Sequence, residues 1–209
     1  EWTYLFLDEV QNVDGWEHFV RRLLDSEKVM VFLTGSSSKL LAKEIATYMR
    51  GRAASHVVLP FSFHEVLKAR GLKAETQLSS AARARVLNTL GEYMRFGGYP
   101  EVVLDEGEMS RVRTLKEYVD VMLMRDVIER HSVKNIPVLR LLFNSLLAST
   151  SKEFSAHKFY NFLKSQGYGV SKNTIYEYVQ HFEDAFAVVM LRRFAPSLRK
   201  TEQSLPKVY

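Results

Sequence analysis

The first 60 residues alternate short apolar runs with amphipathic stretches. The runs at 4–7 and 29–33 consist of apolar or aromatic residues, and a third run, HVVL, lies at 56–59. Continuous runs of this length predict strands buried on both faces, as in a parallel sheet. Apolar residues at helical spacing follow the first run, behind a predicted capping box at 14–17, and a second helix is predicted at 39–50. Strand, helix, strand, helix, strand is typical of a parallel sheet with crossover helices.

The remaining chain has the apolar spacing of helices. A capping box at 62–65 opens one helix, and a long helix is predicted at about 111–130. Near the end, a Gly-containing turn at 167–171 joins two amphipathic helices, and a β-rich run follows at 187–194. Helix, tight turn, helix indicates a helix-turn-helix, and the β-rich run supplies a wing strand.

The predicted fold class is therefore an α/β partial parallel sheet followed by a mainly α-helical region with a winged helix-turn-helix. We divide the chain into a sheet-containing part at 1–70, a helical connector at 71–136 and a winged-helix domain at 137–209. Charge supports at least two modules. Residues 131–209 carry 11 Lys and Arg against 5 Asp and Glu, whereas the rest of the chain is nearly balanced. An acidic partner for the last module and an ordinary solvated basic surface both fit this excess.

Composition narrows the class of protein. The 209 residues are 46% hydrophobic and 25% charged, which is ordinary for a globular protein. The chain has no Cys, which excludes disulfides and thiolate metal sites and suits a cytoplasmic location. No apolar run reaches the roughly 18 residues needed to cross a bilayer, so we expect no membrane partner.

Polar side chains follow the first two predicted strands, where open α/β sheets bind ligands. Asp8 and Glu9 end the first strand. A first acid here can hold Mg²⁺, usually through water, and a second can orient an attacking water for phosphoryl transfer. Two surface acids at the end of a buried strand are the alternative interpretation. Thr34, Ser36 and Ser37 follow the second strand and could sense a γ-phosphate, although Ser37 would equally suit the cap of the next helix.

Six sequence segments carry a family resemblance. They are YLFLDEVQ at 4–11, VFLTGSSS at 31–38, EIATYMRGR at 44–52, LPFSFHEVL at 59–67, GGYPEVV at 97–103 and LMRDVIERH at 123–131. Together they resemble archaeal and bacterial AAA-type ATPases that pair a P-loop domain with a winged-helix segment. The resemblance implies ATP and Mg²⁺ as cofactors, Asp8 as the metal-holding acid of a Walker B element and Glu9 as the residue that activates water. It also makes Arg52 a candidate arginine finger, whereas the alternative is an Arg that meets the last carbonyls of a helix.

One departure from the family concerns the phosphate-binding loop. The sequence contains no GxxxxGK[ST] motif, whose Lys and backbone N–H groups cradle the phosphates. We therefore expect a middle piece of a longer ATPase, without its P-loop or a C-terminal nuclease-like domain, and inactive by itself. Without the P-loop strand, the predicted strand at 56–59 lacks its neighbour. It would have to move beside the other two, pair with a second chain as a homo-oligomer, or leave stability to the helices.

The last predicted helix of the winged-helix domain has an outer face that could contact DNA. Lys172, Asn173, Tyr176 and Gln180 lie on this face, and Arg192 and Arg193 follow on the wing. Nearby acids oppose a polyanion. A protein-docking module is therefore the competing interpretation. For the whole chain, the alternatives to an ATP-switched ATPase are a DNA-binding regulator and a docking module without catalysis.

Overall fold

The computed structural model describes residues 2–35, 52–73 and 79–209. The chain divides into two compact units, one made of Glu1–Ser55 with Met122–Tyr209 and the other of His56–Val121. The first unit begins with β1 (Thr3–Leu7), a 3-10 helix (Val10–Asn12), α1 (Trp16–Ser26) and β2 (Val29–Leu33). The second unit holds α2 (Phe63–Ala69), α3 (Ser80–Phe96), α4 (Pro100–Leu104) and α5 (Glu108–Val121). The first unit then continues with a π-helix (Met122–Glu129), α6 (Ile136–Ala148), α7 (Ala156–Ser165), α8 (Lys172–Asp184), β3 (Met190–Leu191), α9 (Leu198–Gln203) and β4 (Lys207–Val208).

The order of a small parallel sheet followed by a mostly helical region confirms the coarse fold prediction. β1 and β2 pair in parallel, in a register that sets Thr3 opposite Val29 and Leu7 opposite Leu33. Side chains alternate between the two faces of such a sheet. One face packs on a small core built around Trp16.

The other face of the sheet is exposed. It carries Tyr4, Phe6, Met30 and Phe32, and the rings of Phe6 and Phe32 stack with centroids 4.8 Å apart. The expectation that both faces are buried is therefore wrong for the described residues. Apolar composition alone cannot distinguish a strand covered on two sides from a strand covered on one.

The predicted third strand is also wrong. Residues 56–59 lie in neither a helix nor a strand, and Val57, Val58 and Leu59 are exposed. Within the described ranges the parallel sheet has two strands, so this segment has not moved beside them. β-rich composition favours a strand only where a neighbouring strand can accept its backbone hydrogen bonds. The helix predicted at 39–50 lies outside the described residues.

Of the two capping boxes predicted at 14–17 and 62–65, the structure contains the second. The capping box at Ser62 and Glu65 is confirmed, because the Ser62 hydroxyl accepts the Glu65 N–H and the Glu65 carboxylate accepts the Ser62 N–H. The capping box predicted at 14–17 is wrong. α1 begins after Gly15, which has φ 74° and makes no side-chain cap. A left-handed residue at this position favours glycine, which has no Cβ to clash.

The helices after Met122 share one hydrophobic core. Its most buried side chains come from α6, α7 and α8 and include Leu139, Leu142, Leu146, Leu163, Ile175 and Phe182. β3 pairs with β4 in antiparallel fashion, Met190 opposite Val208, and β4 also bridges to Thr150 and Glu153 in the connection between α6 and α7. The core therefore reaches from the helices to the last strand.

The long helix predicted at 111–130 changes type along its length. α5 ends at Val121 and the π-helix continues to Glu129. The π-helix hydrogen bonds join residues five positions apart, so its turn is wider than that of an α-helix. Leu123 and Ile128, separated by five positions, are accordingly both buried.

Candidate functional site

Asp8 and Thr34 lie side by side where β1 and β2 end. Because the strands are parallel with Leu7 opposite Leu33, the residues that follow them fall at the same edge of the sheet. The Thr34 hydroxyl donates a hydrogen bond to the Asp8 carboxylate. The Thr34 N–H donates to the Leu7 carbonyl over 3.0 Å. The structure therefore brings together two of the predicted site residues.

Glu9 has a left-handed backbone conformation, with φ 49° and ψ 45°. Residues other than glycine adopt this region rarely, and its strain has to be offset by the surrounding structure. Here the conformation turns the chain from β1 into the 3-10 helix, and Val10 enters the core beside Trp16 and Val20. The Glu9 N–H also lies 3.4 Å from the Thr34 hydroxyl oxygen. Thr34 therefore contacts both acidic residues, one through its carboxylate and the other through its backbone.

The site offers carboxylate and hydroxyl oxygens. Asp8 and Thr34 are exposed, and Glu9 is partly buried. Mg²⁺ binds through one or two carboxylates and completes its shell with waters and substrate phosphates, so this donor set fits the ion. Residues 2–35, 52–73 and 79–209 contain no group of three or more His, Cys, Asp or Glu that could hold a metal. A magnesium ion here would accordingly take most of its ligands from phosphate and water.

Arg52 pairs with Asp25, which lies near the C-terminal end of α1. Its Nη1 lies 2.6 Å from Oδ1 of Asp25, and both side chains are largely exposed. α1 begins beyond the carboxyl end of β1 and leads back to the start of β2. Asp25 therefore lies about 14 Å along the helix axis from Trp16, at a rise of about 1.5 Å per residue. This places Arg52 near the opposite edge of the sheet from Asp8 of the same chain.

The sequence did not identify Asp25 as the partner of Arg52. An available signal was Arg21, four residues earlier in α1, whose Nε lies 4.0 Å from the same carboxylate. Such i,i+4 pairs mark an acid that faces solvent on a helix. Ser36 and Ser37, the other two candidate phosphate sensors, lie outside the described residues.

The outer face of α8 presents the candidate nucleic-acid contacts. Lys172, Asn173, Tyr176 and Gln180 are exposed along it. The Lys172 ammonium lies 5.7 Å from the centre of the Tyr176 ring, within the range of a cation–π contact. Three of these residues lie in the first turn and a half of the helix, which begins after its N-cap, Ser171, whose hydroxyl accepts the Thr174 N–H.

Two of the candidate contacts are engaged by acidic residues. The Gln180 amide donates to the Asp184 carboxylate over 2.9 Å. Arg192 lies 3.4 Å from the Glu202 carboxylate and also donates to the Glu202 carbonyl. Arg193 is exposed beside it. Acids therefore neutralise part of the basic surface near α8, which lowers its attraction for a polyanion.

Two family models match this chain, one at its N-terminal part and one over most of the rest. Residues 1–67 match a family model described as an AAA domain. Together with the parallel strands and the acids at their ends, this match supports an AAA-like, P-loop-related domain in the N-terminal part. Residues 87–209 match the model described as "Domain of unknown function (DUF8612)". This match covers more than half of the chain, and the chain belongs to that family.

Two relatives show similarity along nearly the whole chain. One is the "Uncharacterized protein MJ1544" of Methanocaldococcus jannaschii, 43% identical over 191 residues, which are 91% of this chain and 43% of that protein. The other is an uncharacterized protein of Haemophilus influenzae, 29% identical over 194 residues, which are 93% of this chain and 46% of that protein. The chain thus spans less than half the length of these relatives. No solved structure matches it.

Among the described residues, no helix has both the length and the apolarity needed to cross a bilayer.

Proposed function

We propose that the chain is part of an ATP-binding and ATP-hydrolysing AAA-type protein in which a nucleotide switch acts on the C-terminal helical module. The observation that carries the proposal is the meeting of Asp8 and Thr34 at the carboxyl edge of two parallel strands. Ligands of open α/β sheets bind at this edge. The match of residues 1–67 to an AAA domain supports the same conclusion.

In this proposal each residue at the edge has its own role. Asp8 holds the waters around Mg²⁺, and the Thr34 hydroxyl fixes the orientation of the Asp8 carboxylate. Glu9 orients the attacking water, since a carboxylate can direct a nucleophile toward the γ-phosphate. Bound ATP and Mg²⁺ supply the reacting phosphoanhydride and the charge that stabilises its cleavage.

The phosphate cradle must come from another part of the protein. The chain lacks a GxxxxGK[ST] motif, and the relatives are more than twice as long as the matched region. We propose that the missing cradle lies in that additional length. By itself the 209-residue chain then binds Mg·ATP weakly, because backbone N–H groups of the P-loop provide most of the contacts to the phosphates.

The position of Arg52 favours a role in a neighbouring subunit. Its pairing with Asp25 places it away from Asp8 of its own chain. An arginine finger that acts on a second copy would leave this ion pair when the subunits assemble. Homo-oligomerisation is thus part of the proposal, and an ion pair between exposed side chains opposes it only weakly.

The test uses the longer protein, purified with and without Glu9→Gln. Wild-type protein should release phosphate from ATP, and Glu9→Gln should abolish turnover while it retains Mg·ATP binding in a titration. Glu27→Gln, at an exposed position before β2, is the matched control and should turn over normally. Unchanged turnover in Glu9→Gln would remove Glu9 from the mechanism. Tight Mg·ATP binding by the 209-residue chain would refute the need for an external cradle.

A second candidate function is DNA binding by a winged helix. Its support is the order α6, α7, α8, β3 and β4, together with the exposed Lys172, Asn173 and Tyr176 at the start of α8. α8 would enter a groove, and Arg192 and Arg193 would contact the backbone from the wing. Gln180 would leave Asp184 to reach a base edge.

Duplex binding by the 209-residue chain tests this second candidate. Affinity that falls with salt and is reduced by Lys172→Ala would support DNA contact, because each phosphate contact releases counterions. Lys164→Ala, at the end of α7, is the control. Absence of duplex binding at low salt would favour the remaining alternative, in which the helical module docks on a protein.

A further inference from the structure

Two histidines from separate elements stack on each other in the C-terminal helical core. His131 follows the π-helix by two residues, and His181 lies in the last turn of α8. Their ring centroids are 3.6 Å apart and the ring planes differ by 9°. Both side chains are partly buried. The stack thus joins the end of the π-helix directly to α8.

The hydrogen-bonding state of His131 indicates a neutral ring. Its Nε2 atom is buried and has no hydrogen-bond partner within the described ranges. A neutral imidazole can leave a bare lone pair at this nitrogen, whereas the charged form places an N–H there. A buried N–H without an acceptor is unfavourable, and a charged ring against a second charged ring is more so.

Burial lowers the pKa of both rings, and the neighbouring charges act on each pKa in both directions. Burial lowers the pKa of His131, as does Arg130 to a smaller extent, whereas Asp184 raises it. Burial and then His131 lower the pKa of His181, whereas Asp184 and Glu177 raise it. The net direction for both histidines is a pKa below the ordinary value.

We propose that the His131–His181 stack is an acid-sensitive junction that fastens the π-helix to α8. When both rings are neutral, they pack face to face and the junction is closed. Protonation of either ring adds a buried charge to the stack and favours a local opening in which the ring reaches water. The opening would release the chain around 127–134 and the end of α8 while the rest of the core stays packed.

The pH range follows from linkage. The opened state titrates near the ordinary histidine value of about 6.5, and the closed state titrates lower. Stability of the closed junction is thus full above pH 6.5 and declines as the pH falls from there through the lower value. The population of the opened state therefore increases as the pH falls through this range.

The experiment follows each histidine by NMR and the backbone by hydrogen exchange in the 209-residue chain. His131 and His181 should titrate below the ordinary histidine value of about 6.5. Amide protection in 127–134 and the last turn of α8, corrected for intrinsic exchange, should fall between pH 7.5 and 5.5. A titration of either stacked histidine at or above about 6.5, or unchanged protection at these amides, would overturn the proposal.

Variants separate titration from stacking. His181→Phe keeps an aromatic ring against His131 but removes one titrating group, so the loss of protection at pH 5.5 should shrink severalfold. His18→Gln is the control and should behave as wild type. If His181→Phe folds and loses protection as strongly as wild type, the junction is not the acid-sensitive element. If His181→Phe does not fold, the wild-type titration and protection still decide.

Discussion

The hydroxyl of Thr34 donates a hydrogen bond to the carboxylate of Asp8. This contact joins the residue after β2 to the residue after β1, and the Glu9 N–H lies 3.4 Å from the same hydroxyl oxygen. A carboxylate held by a hydroxyl has fewer orientations than one in water alone. Thr34 can thus act by positioning Asp8, without contacting the phosphate itself.

Replacement of Thr34 tests that role in the longer protein. Thr34→Val removes the hydroxyl at nearly constant volume, and Asp8 should lose its fixed orientation. We expect ATP turnover to fall about tenfold, the lower end of what loss of a ligand-orienting partner causes. Steady-state phosphate release measures it. Thr34→Ser retains the hydroxyl and should keep most of the turnover, whereas equal turnover in Thr34→Val and wild type would contradict the role.

The Asp8–Thr34 contact could be predicted from the sequence because its cause is general. Parallel strands of equal length end at one edge, so polar residues directly after them meet. The Arg52–Asp25 pair could not be predicted in this way. It depends on how the chain returns after β2, and no periodic pattern encodes that path.

Other features depended on neighbours that composition does not reveal. The run at 56–59 has strand-forming residues, but a strand also needs a partner, and the described residues provide none. Phe6 and Phe32 belong to apolar runs that were predicted to be buried, yet their rings stack on an exposed face of the sheet. His131 and His181 meet although they lie 50 positions apart, and no local signal links them. Helical spacing predicts both Leu146 and Leu147 of α6 in the core. Leu146 is fully buried, whereas Leu147 is 48% exposed.

A side chain at Gly98 would clash with the backbone of the second unit. A Cβ at this position would lie 2.1 Å from the Phe61 carbonyl oxygen. The two residues are already joined by a backbone hydrogen bond from the Phe61 N–H to the Gly98 carbonyl, 2.7 Å long. Because both sides of the contact are backbone, neither can rotate away. Gly98→Ala should therefore lower the free energy of unfolding by about 1–3 kcal/mol, as overpacking does.

Urea denaturation checks this value, and Gly91→Ala is the matched control. Gly91 is inside α3, and no atom of the described part of the chain lies within 4 Å of a Cβ built there. Alanine in a helix interior should stabilise the protein by about 0.5–1 kcal/mol relative to glycine. The two substitutions should thus change the midpoint in opposite directions. A Gly98→Ala midpoint equal to that of wild type would show that the Phe61 backbone can move aside.

Glu92 makes the second unit sensitive to acid. Its carboxylate accepts from Arg70 at 2.7 Å and from the buried Arg111 at 3.1 Å. The hydrogen bond from Arg70, followed by that from Arg111, holds the pKa of Glu92 below its ordinary value of 4.5. The stabilisation is therefore complete above pH 4.5 and is lost as the pH falls through the lower folded-state pKa.

Glu92→Gln should make the stability of the second unit less dependent on pH. The variant should be less stable than wild type at pH 7, because Arg111 remains buried without its carboxylate, and the difference should narrow below pH 4.5. Denaturation midpoints at several pH values measure it. Glu106→Gln, at an exposed position in the same unit, should follow the wild-type curve. A Glu92→Gln curve parallel to wild type down to low pH would exclude Glu92 as the source of the acid sensitivity.

A comparison of two adjacent leucines in α6 distinguishes the contribution of core packing to stability from that of helix propensity. Leu146 is fully buried in the C-terminal core, whereas Leu147 is 48% exposed. Truncation of Leu146 to Ala leaves a cavity as well as lost apolar contacts, so Leu146→Ala should reduce the free energy of unfolding by about 2–5 kcal/mol. Leu147→Ala has the same change in composition and helix propensity, but its side chain already contacts water. Its effect should remain below about 1 kcal/mol.

Chemical denaturation followed by near-UV circular dichroism compares the two variants, since Phe143 and Phe182 pack in the same core with ring centroids 5.2 Å apart. Leu146→Ala should shift the transition to lower denaturant, and Leu147→Ala should not. Equal shifts would mean that the face of α6 assigned to the core is wrong. A large shift for Leu147→Ala alone would instead place the buried face of the helix one position further along the chain.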